Sequence, residues 1–329
     1  MDSPALSVCI CTRDRPRAVA RCLAALMPQA AGLEILVIDS ASAAPAQRAL
    51  RHVVAACPGA RLIRLDRPGL SRARNAAAAA AVAPWIAYLD DDATPAADWA
   101  MQARAAIAGA PDAAMIGGRV LPVWEAPLPR WWPPRLRGVL SIVEAEGNAP
   151  YGAPDLPPEL GPCGANLLVR AAPLRAVGGF AEALGRDGAA LLSDEETEAA
   201  SRLGAAGLVV RYDSRPVVHH DIAAARLTPA WLLRRMHWQG VSAARSRRLG
   251  AERPALWREA ARRASVAALL APLGLVPGSL AVLIGARWRL AYAAGFLRGA
   301  LAPLPATHGA DGPESAARRA RPLPRPVAG

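Results

Sequence analysis

Residues 85–95 read WIAYLDDDATP. Trp85 to Leu89 is an apolar run of strand length, and it ends in three adjacent carboxylates, Asp90, Asp91 and Asp92. Like charges at one strand end repel each other. A hard divalent ion such as Mg2+ or Mn2+ takes carboxylate oxygens, shares them with substrate phosphates, and gives a fold reason to keep such a cluster. An Asp-x-Asp arrangement lets Asp90 reach a ribose or the metal while Asp92 reaches the metal. For these residues alone, an acidic turn capping the next helix is the alternative.

Outward from this strand the chain alternates between two periodicities. LSVCIC (Leu6 to Cys11), LEILVI (Leu33 to Ile38) and Ala60 to Leu65 read as strands; Pro16 to Met27, Gln47 to Ala56 and Ser71 to Val82 read as helices. Strand and helix in regular alternation imply an α/β fold with a doubly wound parallel sheet, whose ligands gather beyond the carboxyl ends of the strands. Asp39 and the Asp90 cluster stand at those ends.

Past residue 120 the character changes. LPVWEAPLPRWWPPRL is dense in proline and predicts an extended loop displaying Trp124, Trp131 and Trp132, as a lid or as packing anchors. Gly161 to Arg170 reads as a turn into a strand, Ser193 to Gly204 as an acidic-headed helix, and Leu208 to Tyr212 and Pro216 to Val218 as short strands leading to His219 and His220. Ala264 to Ala286 carries no charge and is long enough on paper to span a bilayer, which takes about 20 residues. Pro272, Gly274, Pro277 and Gly278 interrupt it, so it predicts two short helices in a hairpin, either in or on a membrane among Arg258, Arg262, Arg263, Arg287, Arg289 and Arg298, or packed on the catalytic domain. From Pro305 the tail reads as disordered.

Composition removes several chemistries. The chain has 329 residues and a net charge of +12, and every one of its 39 basic residues is arginine. Without lysine there is no Schiff-base enzyme, no pyridoxal enzyme and no Walker-type phosphate loop. Arginine favours anions, but arginine and alanine are both encoded by GC-rich codons, so the charge alone is weak evidence for a partner. The arginines are scattered rather than clustered with exposed aromatics, which argues against a nucleic-acid binder. Cys9, Cys11, Cys22, Cys57 and Cys163 match no zinc or disulfide framework and read as small apolar residues, with Cys9 and Cys11 on one face of a strand. Met1-Asp2-Ser3-Pro4 lacks the charged start of a signal peptide, which points to a cytoplasmic enzyme, at the inner face of the cell membrane if the hairpin binds lipid.

The segments SVCICTRDRP, LEILVIDSAS, PGLSRARNAAAAAA, WIAYLDDDATP, CGANLLVR, LLSDEETEAASRLGAAGL and VVHHDIAAARLTPAWLLRRMHWQG, in this order and spacing, resemble the family 2 glycosyltransferases over residues 5–245. The resemblance implies a GT-A fold, a Rossmann-like mixed sheet flanked by helices, followed here by a C-terminal apolar helical region. Residues 1–120 would be the nucleotide-sugar-binding half, 121–225 the acceptor half, 226–304 a helical region and 305–329 a disordered tail. It implies inverting, metal-dependent transfer from a nucleotide-diphospho-sugar, a UDP-sugar in this reading, to a saccharide or lipid-linked acceptor in cell-surface polysaccharide or glycolipid synthesis. Membrane contact would run through residues 264–301, with no nucleic-acid partner.

By that resemblance Thr12 and Arg13 lie beside the nucleobase and Asp39 accepts from a base N–H. Gly69, Ser71, Arg74 and Asn75 form the helix start that meets the nucleotide, with Arg74 on phosphate or paired with the Asp90 cluster. Asp90 and Asp91 face the nucleotide sugar. Asp92, Asp90 and His220 would hold Mn2+ or Mg2+, Asn166 would touch the donor sugar beside Gly164 and Ala165, and Arg226 would hold the diphosphate. The base is expected among Glu196, Glu195 and Asp194, in that order, and His219 faces the other way. A sugar-phosphate nucleotidyltransferase is the nearest rival, but CTRDRPR lacks the glycines of its phosphate loop.

Overall fold

A computed structural model describes residues 4–157, 159–188, 190–250, 255–270, 280–304 and 321–322. The elements in chain order are β1 (Leu6–Thr12), α1 (Pro16–Leu26), β2 (Leu33–Ser40), α2 (Ala44–Ala55), β3 (Ala60–Leu65), α3 (Leu70–Ala80), β4 (Trp85–Asp90), β5 (Ala93–Pro95), α4 (Trp99–Ala108), β6 (Ala113–Trp124), β7 (Asn148–Pro150), β8 (Asn166–Arg170), α5 (Ala171–Ala176), α6 (Glu195–Ala205), β9 (Val209–Ile222), α7 (Pro229–Leu249), α8 (Leu256–Leu270), α9 (Leu280–Leu301) and β10 (Arg321–Pro322).

The sheet runs β10-β3-β2-β1-β4-β8-β6-β9-β5, with β7 paired to β9. β3, β2, β1 and β4 are parallel, as their alternation with helices requires. β8 is antiparallel to both β4 and β6, so the sheet is mixed. The period-2 pattern of β1 explains its position at the centre. Leu6, Val8 and Ile10 pack on one face with Val19, Leu23 and Leu26 of α1, while Cys9 and Cys11 pack on the other with Ala73, Ala76 and Ala77 of α3. The alanine run of α3 thus lets a helix lie close under the sheet. Cys9 and Cys11 are core residues, as expected, and burial pushes the Cys11 thiol up to about 12.

The structure corrects several readings. α2 begins at Ala44 rather than Gln47, because Pro45 is tolerated in a first helical turn. The two short strands before His219 are one strand, β9, whose register against β6 shifts between Gly117 and Arg119 to pass Pro216, which has no amide hydrogen to donate. β6 continues to Trp124, and Pro134–Leu140 forms a 3-10 helix inside the supposed loop. Trp132 is buried, 5.6 Å from Trp131 and 6.4 Å from Trp231 of α7, so this tryptophan is a packing anchor rather than a lid. α9 packs along α7, where Gly240 and Gly295 let the two backbones touch. Among the described residues no helix is long and apolar enough to cross a membrane. Residues 271–279, the middle of the expected hairpin, lie outside the described residues, as does most of the tail expected to be disordered; within that tail Arg321–Pro322 pairs with β3.

Asn166 holds the sheet together where its direction changes. Fully buried, it accepts from Trp99 Nε1 at 3.0 Å and donates from Nδ2 to the carbonyls of Arg119 at 2.9 Å and Pro216 at 2.8 Å. It therefore joins α4, β6, β8 and the bulged part of β9. Replacing Asn166 with Ala should cost about 3 kcal/mol, because a buried indole N–H and two carbonyls lose their partner together. Urea unfolding of the two proteins measures this, and a loss below about 1 kcal/mol would show that water takes over those bonds.

Candidate active site

The carboxyl ends of β1 and β4 open into a cleft of about 780 Å3, roofed by the segment 134–145 and bordered by α6 and α7. It is lined by Thr12, Arg13, Gly69, Arg74, Asp90, Asp91, Asp92, Asp194, Glu195, Glu196, His220 and Arg226, so the sheet topology gathers most of the expected residues.

The three aspartates at the end of β4 are not equivalent. Asp91 points back under β1, where it accepts from Thr12 Oγ1 and from Arg15 Nη1, both at 2.6 Å. Burial pushes its carboxyl up to about 7, with Arg15 opposing. Asp92 accepts from Arg15 Nη2 at 2.8 Å and Arg226 Nη2 at 3.1 Å, and lies 3.3 Å from His220 Nε2. Burial would raise it, but His220, Arg15 and Arg226 together hold it well below the usual carboxylate range. Asp90 is the most open, 29% exposed, and has only a long 3.4 Å contact to Arg74 Nη2. Local pairing explains why His220 arrives here. β5 is antiparallel to β9 with Ala93 opposite His220, and the Asp221 amide donates to the Asp92 carbonyl at 3.0 Å, which sets the imidazole beside the Asp92 carboxylate. His219, next along the strand, is exposed, as period 2 demands.

Arg74 sits across the cleft floor, 2% exposed, and its Nη1 donates to Glu195 Oε1 and Glu196 Oε1, each at 2.8 Å. Burial alone would lower its pKa; Glu196, Glu195 and Asp90 reverse this and raise it well above the ordinary value. The Tyr88 hydroxyl, donating to the Arg74 carbonyl at 3.0 Å, and the Phe180 ring 5.7 Å from the guanidinium fix its place. A side chain on Gly164 would collide with the Arg74 guanidinium and the Glu196 carboxylate, so only glycine leaves their contact in place. Glu195 is buried with Oε2 unpartnered, and burial together with Glu196 pushes it up to about 8, against Arg74. Glu196 is 13% exposed and faces the cleft. Asp194, the residue before α6, adopts a left-handed φ of 73° and is held by Gln239 Nε2 at 2.6 Å and Ser193 Oγ at 3.0 Å; burial raises its carboxyl.

Four expected residues stand outside this cleft lining. Asn166 is committed to the sheet, as above. Ser71 Oγ donates to the Leu184 carbonyl at 2.9 Å, and Asn75 exchanges hydrogen bonds with the Phe180 backbone, so both anchor the segment 180–184 to α3. Asp39 is fully buried and accepts from the Ser42 amide at 2.9 Å and Arg64 Nη1 at 2.7 Å; its neighbour Ser40 lines the cleft instead. Gly69 has a φ of 138°, open to glycine, and starts α3 with its amide on Ser40 Oγ at 3.0 Å. Arg13 lines the cleft and pairs with Asp14 at 3.7 Å.

Sequence reasoning missed Arg15, which bridges Asp91 and Asp92, and it missed Arg235 and Gln239 of α7. Pro16 as a helix start was the signal for Arg15, since it puts residue 15 at the cap beside the strand ends. Arg235, Gln239 and Ser242 follow a spacing of four and three on one helix face, a polar stripe legible in principle.

The expected metal set is only partly gathered. Among the described residues no group of three or more His, Cys, Asp and Glu side chains converges as a cage. Asp90 is drawn toward Arg74, leaving Asp92 and His220. Their 3.3 Å separation is close to the spacing of adjacent ligands on an octahedral ion with bonds of about 2.1 Å. His220 Nδ1 is buried without a partner. One carboxylate and one imidazole, completed by phosphate and water, are a donor set that fits Mn2+ better than Mg2+, while Asp92 Oδ2 is already shared between Arg15 and Arg226.

Protonation of Glu195 makes a prediction. Between its ordinary value near 4.5 and about 8, the folded chain keeps a proton that the unfolded chain has released, so this group makes stability fall as pH rises through that window. Thermal unfolding from pH 5 to 8 should fall less steeply for Glu195→Gln than for wild type. An equally steep decline in both would show that Glu195 ionises normally.

Comparison with known proteins agrees with this architecture. Residues 7–165 match the model of Glycosyl transferase family 2. A glucosyl-dolichyl phosphate glucuronosyltransferase of Haloferax volcanii is 28% identical over 54% of this chain and 55% of its own, and a pre-mycofactocin glycosyltransferase of Mycobacterium tuberculosis is 28% identical over 58% and 38%. The match thus spans about half the length of these curated relatives, or less. Among solved structures, the mannosyltransferase PcManGT from Pyrobaculum calidifontis, in complex with GDP-Man and Mn2+, superposes with a TM-score of 0.57 at 20% identity, covering 92% of this chain and 88% of that one. TarS of S. aureus in complex with UDP-GlcNAc gives 0.51 at 14% identity, covering 89% and 90%. With a mixed sheet, strand-end acids and an acid-headed helix joined in one cleft, the chain has a GT-A-like fold and is similar to the family 2 glycosyltransferases over residues 7–165.

Proposed function

We propose that the protein transfers a sugar from a nucleotide-diphospho-sugar, a UDP-sugar in our reading, to an acceptor hydroxyl with inversion. The observation that carries this is the Arg74 bridge. One buried guanidinium links the acids of α6 to Asp90, so a candidate base and a candidate diphosphate site face each other across a single cleft.

Glu196 is the base in this reading, because it faces the cleft while Glu195 is buried and drawn toward its protonated form. The acceptor oxygen attacks the anomeric carbon from the side opposite the diphosphate, its proton passes to Glu196, and the breaking carbon–oxygen bond leaves its electron pair on the diphosphate. Arg226 and Arg15, already gathered on Asp92, lie where that charge collects. When bound, Mn2+ or Mg2+ on Asp92 and His220 supplies further neutralisation of the leaving group. Asp39 reads the base in this account only if Arg64 yields one of its oxygens.

The names of the relatives support a donor of this class and a saccharide or lipid-linked acceptor. On this reading the enzyme works at the cytoplasmic face of a membrane, touching headgroups through the exposed Trp257, Arg258, Arg262 and Leu269 of α8 and Arg287 of α9.

A thermal-shift screen tests the donor. A UDP-sugar should raise the melting temperature of wild type only with Mn2+, and Asp92→Asn should abolish the shift; no metal-dependent shift with any nucleotide sugar would sink the proposal. With a turned-over substrate, Glu196→Gln should lower kcat by about 10^2 to 10^4 while donor binding persists. Gly164→Ala should cost about 10^2 in kcat/KM by pushing Arg74 away from Glu196. If the Gly164 variant is as active as wild type, the Arg74–Glu196 contact is not the working geometry.

A further inference from the structure

Arginines from separate elements border the cleft from the Asp92 end to the Asp194 end. Arg226 is held by Asp92, and Arg186, an exposed residue on the loop before α6, lines the same cleft. Arg235 of α7 lines this cleft too, as does Asp194.

Arg235 is the unusual member. It is only 8% exposed, its Nε has no partner, and its Nη1 makes one long bond of 3.4 Å to the Leu191 carbonyl. The charges that face it are Asp194, Arg186, Glu195 and Glu196. The acids are engaged elsewhere: Asp194 by Gln239 and Ser193, Glu195 and Glu196 by Arg74. Burying a guanidinium with unfilled donors and no contacting anion is unfavourable, and burial pulls its pKa down to about 10. A ligand anion that reached it would gain charge-assisted bonds to a guanidinium whose donors are unfilled.

Position decides which substrate supplies that anion. The donor diphosphate belongs at the Asp92, His220 and Arg226 end, whereas Arg235 stands beside the Ser193–Glu196 segment, where the acceptor hydroxyl must meet its base. Resting on the donor and base assignment above, we propose that Arg235 and Arg186 form a phosphate subsite for the acceptor, so that the acceptor carries a phosphate near the hydroxyl it offers. The phosphate belongs either to a lipid or to a soluble sugar phosphate; the same oxyanion chemistry serves both.

Calorimetric titration of the full chain, saturated with UDP and Mn2+, tests this with dodecyl phosphate and glycerol 1-phosphate as probes and dodecyl glucoside and glycerol as neutral controls. The phosphate probes should bind alongside UDP. Arg235→Gln should weaken them by about tenfold or more and the exposed Arg186→Ala by about fivefold, with UDP affinity held within about twofold. Tighter binding of dodecyl phosphate identifies a lipid phosphate, and equal binding a soluble one. Competition between probe and UDP, equal binding of the neutral controls, or affinities untouched by both substitutions would overturn the subsite. Should Arg235→Gln not fold, Arg186→Ala decides. If UDP itself does not bind, the donor assignment fails, and titration without UDP still decides whether these arginines take phosphate.

Discussion

A guanidinium buried among carboxylates holds them where it is. Arg74 imposes that constraint on the whole active side of this molecule. It rises from α3, which the alanine run lets lie close beneath β1 and β2, and it ties Glu195 and Glu196 at the start of α6 to Asp90 at the end of β4. Neither α3 nor α6 can shift against the other without breaking a buried charge pair, a loss of about 3–5 kcal/mol in comparable cases. The surrounding sequence serves the same contact: Gly164 makes room for it, Tyr88 fixes the backbone beneath it, and Ser71 and Asn75 moor the 180–184 segment that brings Phe180 against it.

The acids of β4 show how three copies of one residue acquire three properties from their surroundings. Asp91 is turned inward and drawn toward protonation, Asp92 is kept ionised by an imidazole and two arginines, and Asp90 stays open to the cleft. Strand geometry produces the division. Successive side chains leave a strand end in different directions, and only Asp92 meets the register of β9 that delivers His220. With no lysine in the chain, every cation here is a planar, permanently charged fork, suited to holding two oxygens at once. Arg15 does so between Asp91 and Asp92.

The parallel half of the fold was legible because its signals are local. Leu6 to Cys11, Leu33 to Ile38 and Trp85 to Leu89 each declare a strand by themselves, and the alternation with helices fixes their direction. Most of the cleft residues were legible for the same reason, since carboxyl ends of parallel strands converge. What failed depended on partners distant in sequence. Pro216 looked like a break, yet Asn166, 50 positions earlier, closes a bulge around it. Asn166 and Asn75 carried the chemistry of ligand contacts, but a short amide with carbonyls within reach satisfies the interior instead. Asp39 stands where a base-reading acid is expected, and nothing near it in sequence announced Arg64 of the neighbouring strand. Trp132 found its cavity in α7, a helix about 100 residues away, which no local periodicity contains.

The role of α7 follows from a strained residue. Asp194 holds a left-handed backbone without being glycine, a conformation that costs on the order of 1–3 kcal/mol and persists only where surroundings enforce it. The enforcing bonds come from α7: Gln239 on the Asp194 carboxylate and Ser242 on the Ser193 amide. That turn aims the next two residues, Glu195 and Glu196, at Arg74. The C-terminal helices are therefore coupled to the placement of the candidate base through α7, whose other face is locked to α9 by backbone contacts at Gly240 and Gly295. One helix thus carries both the bonds that hold the turn before α6 and the backbone contacts to α9.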